Sequence, residues 1–294
     1  MGSLPERVPD TFGVNDMNTQ PRVLLLLISF VLGLRGNSVL AQEASPYSVM
    51  GNAGIAQTST TELDKEITMP KPKVIIFDVN ETLLDLAPLK ISVGKALGGR
   101  EDLLPLWFST MLHYSLVETL SGNYHSFGEI GTAALKMVAE TQGIELEYQD
   151  AKVAVVTPLR SLPPHHDVAV GLKMLSEAGF RIVSLTNSSA EGAETQLTNA
   201  GLTDLFEKRF SIESVKKYKP HPDTYRMVIH DLSVRPEEVL MVAAHAWDLA
   251  GAKNVGLQTA FIARPGTALY PNVAKPDYVV NDLPELVKRL REAH

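Results

Sequence analysis

The sequence predicts an α/β fold, a parallel sheet with helices on both faces, interrupted by an all-helical insertion. Three observations predict it. Short apolar runs of strand length occur at Val74–Phe77, Arg181–Leu185, Val239–Ala244 and Gln258–Ala263, with a weaker one at Tyr278–Val280. Helical patterns fill the gaps between the later runs. The interval from residue 78 to residue 180 carries helical patterns and no convincing strand. Strands that alternate with helices pair in parallel and are covered on both faces.

The chain opens with a segment unlike the rest. Arg22 precedes a run of twelve apolar residues, Val23–Leu34, and small or modest residues follow up to Ala41. A membrane span needs about 20 apolar residues, so this run is short for one. A positive flank, a short apolar core and a small-residue site form a secretory signal pattern over residues 1–41. A membrane anchor is the competing reading, because the stretch before Arg22 is long and polar; Met17 would make a more ordinary start. The signal reading implies a periplasmic or secreted protein, and its failure a cytoplasmic one. Residues 42–69, rich in Ser, Thr, Ala and Gly, read as a linker.

From Pro70 the elements follow in order. The first strand, Val74–Phe77, is apolar throughout and ends abruptly on Asp78 in "KVIIFDVNETLLDL". A lone Asp there ordinarily caps a turn. Next comes "LLPLWFSTMLHYSLVETLSG", with apolar residues at helical spacing, and then "SFGEIGTAALKMVAETQG", where Ser126 and Glu129 have capping-box spacing. "YQDAKVAVVTPLRSL" and "HDVAVGLKMLSEAG" complete the helical interval. Such an insertion after the first strand reads as a cap, residues 87–179, over a core formed by residues 70–86 and 180–294. Trp107, Phe108, Met111 and Tyr114 are core-type residues; as a cluster facing the rim, Trp107 and Phe108 are assigned to the cavity wall. The later strands alternate with "AEGAETQLTNAG", "HPDTYRMVIHDL" and "DLAGAKNVG", and "LPELVKRLREA" closes the chain.

Composition narrows the function. A chain of 294 residues with 45% hydrophobic content can bury a sizeable core. A formal net charge of −7 without a basic run argues against nucleic acid and against an anionic membrane surface. With no cysteine there is no disulfide, thiolate metal site or Cys nucleophile. In parallel sheets ligands sit beyond the carboxyl ends of the strands, which is where Asp78, Thr186-Asn187 and the residues after Ala244 fall.

Four segments then carry a resemblance. "FDVNETLLD" looks like the first motif of the haloacid dehalogenase superfamily, "SLTNS" the second, "KKYKPHPDTY" the third and "VAAHAWDLAGA" the fourth. Order and spacing fit over roughly residues 72 to 292. By pattern the chain is most similar to the type II (S)-2-haloacid dehalogenases, whose fourth motif also carries a Trp-Asp pair. The resemblance implies a Rossmann-like core and a reaction in which Asp78 attacks carbon 2 of a short 2-haloalkanoate. Halide leaves with inversion, and water hydrolyses the resulting aspartyl ester. It further implies that Thr82 orients Asp78, although a helix-capping role is also open to Thr82. Lys219 would keep Asp78 ionised, and Asp248 would position Lys219 and the hydrolytic water. Thr186 would hold the nucleophile or the substrate carboxylate, Asn187 would donate to the halide, and Tyr225 would contact substrate.

Departures from the pattern bear on the chemistry. Superfamily phosphatases carry a second Asp two residues after the nucleophile; here it is Asn80, which is no general acid and is assigned to the substrate-contacting set. Their fourth motif offers two acidic residues four apart for magnesium, and here the earlier one is Ala244. Both changes favour carbon–halogen displacement without a cofactor. Type II dehalogenases usually place an Arg after the cap-helix Trp, and here that residue is Phe108. A charge pair at about 4 Å and an effective dielectric of about 20 is worth about 4 kcal/mol before desolvation, so the loss is substantial. Arg100 and Arg160 are the remaining candidate cations. His245 stands where the relatives have Asn, either as a base for ester hydrolysis or as a loop hydrogen-bonder. The expectation is a hydrolase for a small 2-halocarboxylate. A magnesium-dependent small-molecule phosphatase and a catalytically weak small-anion binder are the alternatives. Exposed apolar cap faces often pair, which would make a homodimer.

Overall fold

The computed structural model describes residues 69–293. The signal and nearly all of the linker expected from the sequence lie outside the described residues. The first strand, β1 (Val74–Phe77), is wholly buried and sits at the centre of a six-stranded sheet. It is flanked by β2 (Arg181–Thr186) and β4 (Val239–Ala243). Outside these lie β3 (Lys208–Ser211) on one edge, and β5 (Gln258–Ile262) followed by β6 (Tyr278–Val280) on the other, giving the order β3-β2-β1-β4-β5-β6. Every pairing is parallel. The β-branched and aliphatic runs of β1, β4 and β5 are buried at each position, as strands covered on both faces require.

Register brings the strand ends together. Phe77 lies beside Ser184 on one neighbour and Val242 on the other. One residue further, the Asp78 amide still bonds to the Val242 carbonyl at 3.0 Å. Asp78 therefore leaves the sheet level with the ends of β2 and β4, on the rim where helices begin. β1 and β6 have the expected bounds, β2, β4 and β5 differ from them by one residue at the C-terminal end, and β3 was not expected at all. Its "KRFS" exposes Lys208 on an edge, where charged side chains deter further pairing and erase the apolar signature.

Between β1 and β2 lie α1 (Ala87–Ala96), α2 (Leu104–Ser121), α3 (Phe127–Thr141), α4 (Tyr148–Leu159) and α5 (Val168–Glu177). The first four pack on one another: α2 on α3, α3 on α4, and α4 back on α1. The expected capping box opens α3, with Ser126 Oγ accepting from the Glu129 amide and Glu129 Oε2 accepting from the Ser126 amide. α5 belongs elsewhere. Its buried stripe of Val168, Gly171, Leu172 and Leu175 faces β2 and the C-terminal helix α9 (Leu283–Glu292). The four-helix insertion thus ends before Val168, not at residue 179, because a helical stripe in the sequence does not say which partner it covers. The two crossings between insertion and sheet lie side by side. The Asp85 amide bonds to Pro163 O at 2.8 Å and the His165 amide to Leu83 O at 2.9 Å.

The remaining helices are α6 (Ala190–Asn199), α7 (Pro222–Leu232) and α8 (Ala246–Asn254). Gly171 of α5 meets Leu283 of α9, and a Cβ at Gly171 would overlap the Leu283 side chain and approach its backbone. Gly171→Ala is therefore expected to lower stability by about 1–3 kcal/mol through overpacking, despite the better helix propensity of Ala. Urea unfolding of the two proteins measures it.

Candidate active site

The chain after β1 turns tightly. The amides of Leu83 and Leu84 both reach the Val79 carbonyl, at 2.9 and 3.0 Å, and Glu81 adopts a left-handed φ of 66°. A non-glycine residue held there costs on the order of 1–3 kcal/mol and persists only where its surroundings fix it. The turn carries Thr82 back over Asp78. Thr82 Oγ1 donates to Asp78 Oδ2 at 2.6 Å and accepts from the Ala244 amide at 2.9 Å, so β1 and β4 are joined through one hydroxyl. Thr82 caps no helix; α1 starts five residues later, with Leu86 at its N-cap.

Asp78 is 5% exposed and its other oxygen, Oδ1, accepts from Lys219 Nζ at 2.7 Å. Lys219 lies on the loop before α7, where its amide donates to Asn187 Oδ1 at 3.1 Å. All three ammonium protons find acceptors: Asp78 Oδ1, Asp248 Oδ2 at 2.6 Å and Leu185 O at 3.1 Å. Asp248, in the first turn of α8, uses Oδ1 to accept from the Tyr225 hydroxyl at 2.6 Å. Gly251 lets this helix approach, since a Cβ there would stand 2.6 Å from Pro220 Cβ and 2.7 Å from the Tyr225 oxygen.

These contacts set the charges. Burial works to raise Asp78, but the Lys219 ammonium and the His245 imidazole outweigh it and hold the carboxyl well below the usual carboxylate range. Burial works to lower Lys219, and the two carboxylates beside it reverse that and raise it. Asp248 is pushed up by burial, with Lys219 opposing and Asp78 adding to the rise. The Asp78 carboxylate is therefore charged at neutral pH and needs no base to make it so.

His245 stands at the N-cap of α8. Its Nδ1 is 3.4 Å from Asp78 Oδ2 and its Nε2 is 3.6 Å from Glu81 Oε2. The ring lies near-parallel to Phe108, at 6.1 Å between centroids, and to Trp247, at 5.2 Å. Burial works to lower its pKa, but the two carboxylates push it up to about 9. With both carboxylates charged beside it, the imidazole favours its protonated form at neutral pH. Beside it opens a cavity of about 650 Å³, walled by α2 through Leu104, Phe108 and Leu112, and by Glu81, His245 and Trp247.

Several residues expected at the substrate lie elsewhere. Trp107 is fully buried and donates to Gly131 O at 2.8 Å, inside the contact of α2 with α3; only its neighbour Phe108 faces the cavity. Tyr225 is also fully buried, spent on Asp248. Asn80 accepts from Gln196 Nε2 at 2.8 Å and lies 3.4 Å from Ser188 Oγ, bracing the turn against α6. Thr186 Oγ1 accepts from the Ser188 amide at 3.1 Å instead of bonding Asp78. Asn187 supports Lys219 through its oxygen. Neither candidate arginine is free: Arg100 forks onto Asp102 at the surface, and Arg160 pairs with Glu191 at 3.1 Å.

The sequence reading missed two residues. Glu81 reaches His245, and nothing in its pattern announces a left-handed turn. Arg264, just past β5, donates to Thr82 O from Nε and Nη2 at 3.1 and 2.9 Å and pairs with Asp167 at 2.7 Å. Its place at the end of a strand on the same rim was the available signal. A magnesium site of the phosphatase kind does not fit here. Ala244 offers no ligand atom, both Asp248 oxygens are engaged, and among the described residues no group of three His, Cys, Asp or Glu side chains is placed to hold a metal.

Folding raises His245 from 6.5 to about 9. Its contribution to stability is therefore fully present below pH 6.5 and lost as pH climbs through about 9. The loss should be on the order of 3 kcal/mol. Urea midpoints across that window should fall in the wild type and stay flatter in His245→Asn.

Known proteins share this arrangement at large scale. The pattern of the haloacid dehalogenase-like hydrolase family matches residues 72–256. An (S)-2-haloacid dehalogenase of Pseudomonas sp. (strain CBS-3) is 32% identical over 224 residues, 75% of this chain and 98% of that protein. A solved structure of the L-2-haloacid dehalogenase from Xanthobacter autotrophicus superposes with a TM-score of 0.69 at 29% identity, covering 75% of this chain and 98% of the other. A second structure of that enzyme, with chloropropionic acid covalently bound, superposes with a TM-score of 0.68 at the same identity and the same coverage. With a parallel sheet of this order and a family pattern spanning well over half its length, the chain belongs to the haloacid dehalogenase-like hydrolases.

Proposed function

We propose that this hydrolase converts small (S)-2-haloalkanoic acids to 2-hydroxy acids of inverted configuration, through an ester on Asp78. One observation carries the reading: a charged carboxylate, fixed by Thr82 and Lys219, lies next to His245 at the wall of a largely apolar cavity, and Asn80 stands where a carboxylic acid would protonate an alkoxide. Halide leaves without a proton, whereas an alkoxide needs one. The positions that would supply acid or metal ligands hold Asn80, tied to Gln196, and Ala244. The covalently bound chloropropionic acid in the Xanthobacter autotrophicus enzyme supports a covalent route in a relative.

In the first step an Asp78 oxygen forms a bond to carbon 2 from the side opposite the halogen. The carbon–halogen bond breaks and halide departs with its electron pair. In the second step water adds to the Asp78 carbonyl carbon, the ester bond to that carbon breaks, and the hydroxy acid and the Asp78 carboxylate are released with one proton. Lys219 keeps Asp78 an anion for the first step, and its charge favours the oxyanion formed in the second. Asp248, closed off from solvent, acts through Lys219. Asn187 uses its oxygen to hold the Lys219 loop and presents its amide nitrogen toward the halide. On this reading α1–α4 form a lid that keeps bulk water from the cavity.

Incubation with (S)- and (R)-2-chloropropionate and with a chromogenic phosphate ester, each with and without magnesium, tests the assignment. Halide release from the (S) acid that survives a chelator and disappears in Asp78→Ala is the expected outcome. Magnesium-dependent phosphate release would replace it with a phosphatase, and neither activity in folded protein would leave an anion binder. A single turnover in heavy-oxygen water should label Asp78; label confined to product would mean direct attack by water.

A further inference from the structure

If Asp78 forms an ester, as proposed above, it is negative before the attack and neutral after it. His245 stands beside that change. Its Nδ1 lies 3.4 Å from Asp78 Oδ2 and its Nε2 3.6 Å from Glu81 Oε2, so one ring faces both the reacting carboxyl and a carboxylate that keeps its charge. The aromatic rings near it, Phe108 of α2 and Trp247 of α8, do not titrate. Lys219 faces the other oxygen of Asp78. The second step needs a group that takes a proton from water, and the structure narrows the choice. Asp248 has no exposed surface, and its oxygens accept from Tyr225 and Lys219. Thr82 and Lys219 touch Asp78 as a hydroxyl and an ammonium, both of them donors there. His245 and Glu81 line the cavity, so the ring meets solvent.

We propose that His245 is the base of the second step and that ester formation itself converts it into one: with Asp78 neutral, the ring gives up its Nδ1 proton, and Nδ1 then takes a proton from the water that adds to the Asp78 carbonyl carbon. While Asp78 is charged, it and Glu81 hold the ring protonated against the effect of burial, at about 9. Losing one opposite charge at this range lowers the pKa of a cation by about 1–3. Lys219 stays charged against Asp248 and, with Asp78 neutral, disfavours a second cation nearby. The imidazole then titrates near neutral pH, where a base is both free and strong enough to act. Glu81 favours the tautomer whose remaining proton is on Nε2, which leaves the Nδ1 lone pair facing Asp78. Glu81 is thus a positioning residue.

The protons balance. An Asp78 oxygen bonds to carbon 2, halide leaves with the electron pair of the carbon–halogen bond, and the Nδ1 proton of the imidazolium goes to solvent. Water then adds to the ester carbonyl carbon while one of its protons passes to Nδ1. The bond from that carbon to the ester oxygen breaks, and the imidazolium returns the proton to the departing alkoxide. The new carboxylic acid of Asp78 protonates the ring again, so the proton produced in the second step stays on His245 and replaces the one lost in the first. The single proton of each turnover therefore reaches solvent with the halide, ahead of the hydroxy acid.

Rapid mixing of the full chain with (S)-2-chloropropionate in weak buffer at about pH 8 follows halide, protons and the intact mass of the protein. In wild type the proton should appear at the rate of the halide. His245→Gln should release one halide per chain without a proton and then stall, with the acid held on Asp78 and its hydrolysis slowed about 10²- to 10⁴-fold. Glu81→Gln should move the acid limb of ester hydrolysis to lower pH, and an unmoved limb overturns the role of Glu81. Asp78→Asn puts a neutral group where the ester would be, and in its NMR spectra the His245 ring should titrate at a pH about 1–3 lower than in wild type. Turnover by His245→Gln within about threefold of wild type with no ester accumulating, a wild-type proton that appears only with product, or an unchanged titration in Asp78→Asn overturns the assignment. Should His245→Gln not fold, the proton timing and the titration decide. Halide release and an ester in wild type together with any of these results defeat the base alone, whereas folded wild type that forms neither defeats the dehalogenase reading and the base with it.

Discussion

One ammonium group holds the functional rim together. Lys219 Nζ lies without solvent contact between the carboxylates of Asp78 and Asp248, and its third proton reaches the end of β2 at Leu185 O. Three chain segments that are far apart in sequence thus meet at a single nitrogen. Two buried carboxylates this close would repel one another and take up a proton without the cation between them; breaking such a set by removing one member typically costs about 3–5 kcal/mol. The ion also explains what surrounds it. Asn187 fixes the Lys219 backbone, Tyr225 saturates the far side of Asp248, and Gly251 allows α8 close enough for both.

Most of the sheet was legible in the sequence because strands buried on both faces leave continuous apolar runs. β1, β2, β4 and β5 are such runs, and β6 a weaker one. β3 was illegible for the opposite reason: it is an edge strand carrying Lys208 and Arg209, and its pairing with β2 depends on a neighbour that no local pattern encodes. α5 shows another limit. Its stripe forecast a helix correctly, yet only the approach of α9 decides that it covers the sheet and not the insertion.

The site divides along the same line. Asp78, Lys219 and Asp248 could be named from motif order, and the fold brings the three side chains within hydrogen-bonding distance. Side-chain direction was not legible. Trp107 and Phe108 are adjacent on α2, about 100° apart around the helix axis. That single step sends the indole into the helix contact and the phenyl ring against His245. Tyr225 and Thr186 likewise turned inward, toward polar partners that only the folded chain supplies. Glu81 and Arg264 escaped notice because their importance lies in backbone geometry, one adopting a left-handed turn and the other gripping a carbonyl within it.

The two crossings that tie α1–α4 to the sheet run antiparallel and hydrogen-bonded, Asp85 to Pro163 and His165 to Leu83. The helical panel is also held away from this joint, where the Tyr218 amide donates to Thr119 Oγ1 at 2.9 Å and the Tyr218 hydroxyl to the His125 carbonyl, so its tilt over the rim is fixed at more than one place. The segment beside the joint is the Thr82 turn, anchored independently by Arg264. The turn that carries Thr82 back over Asp78 is thus fixed from the sheet side, independently of the helices that cover it.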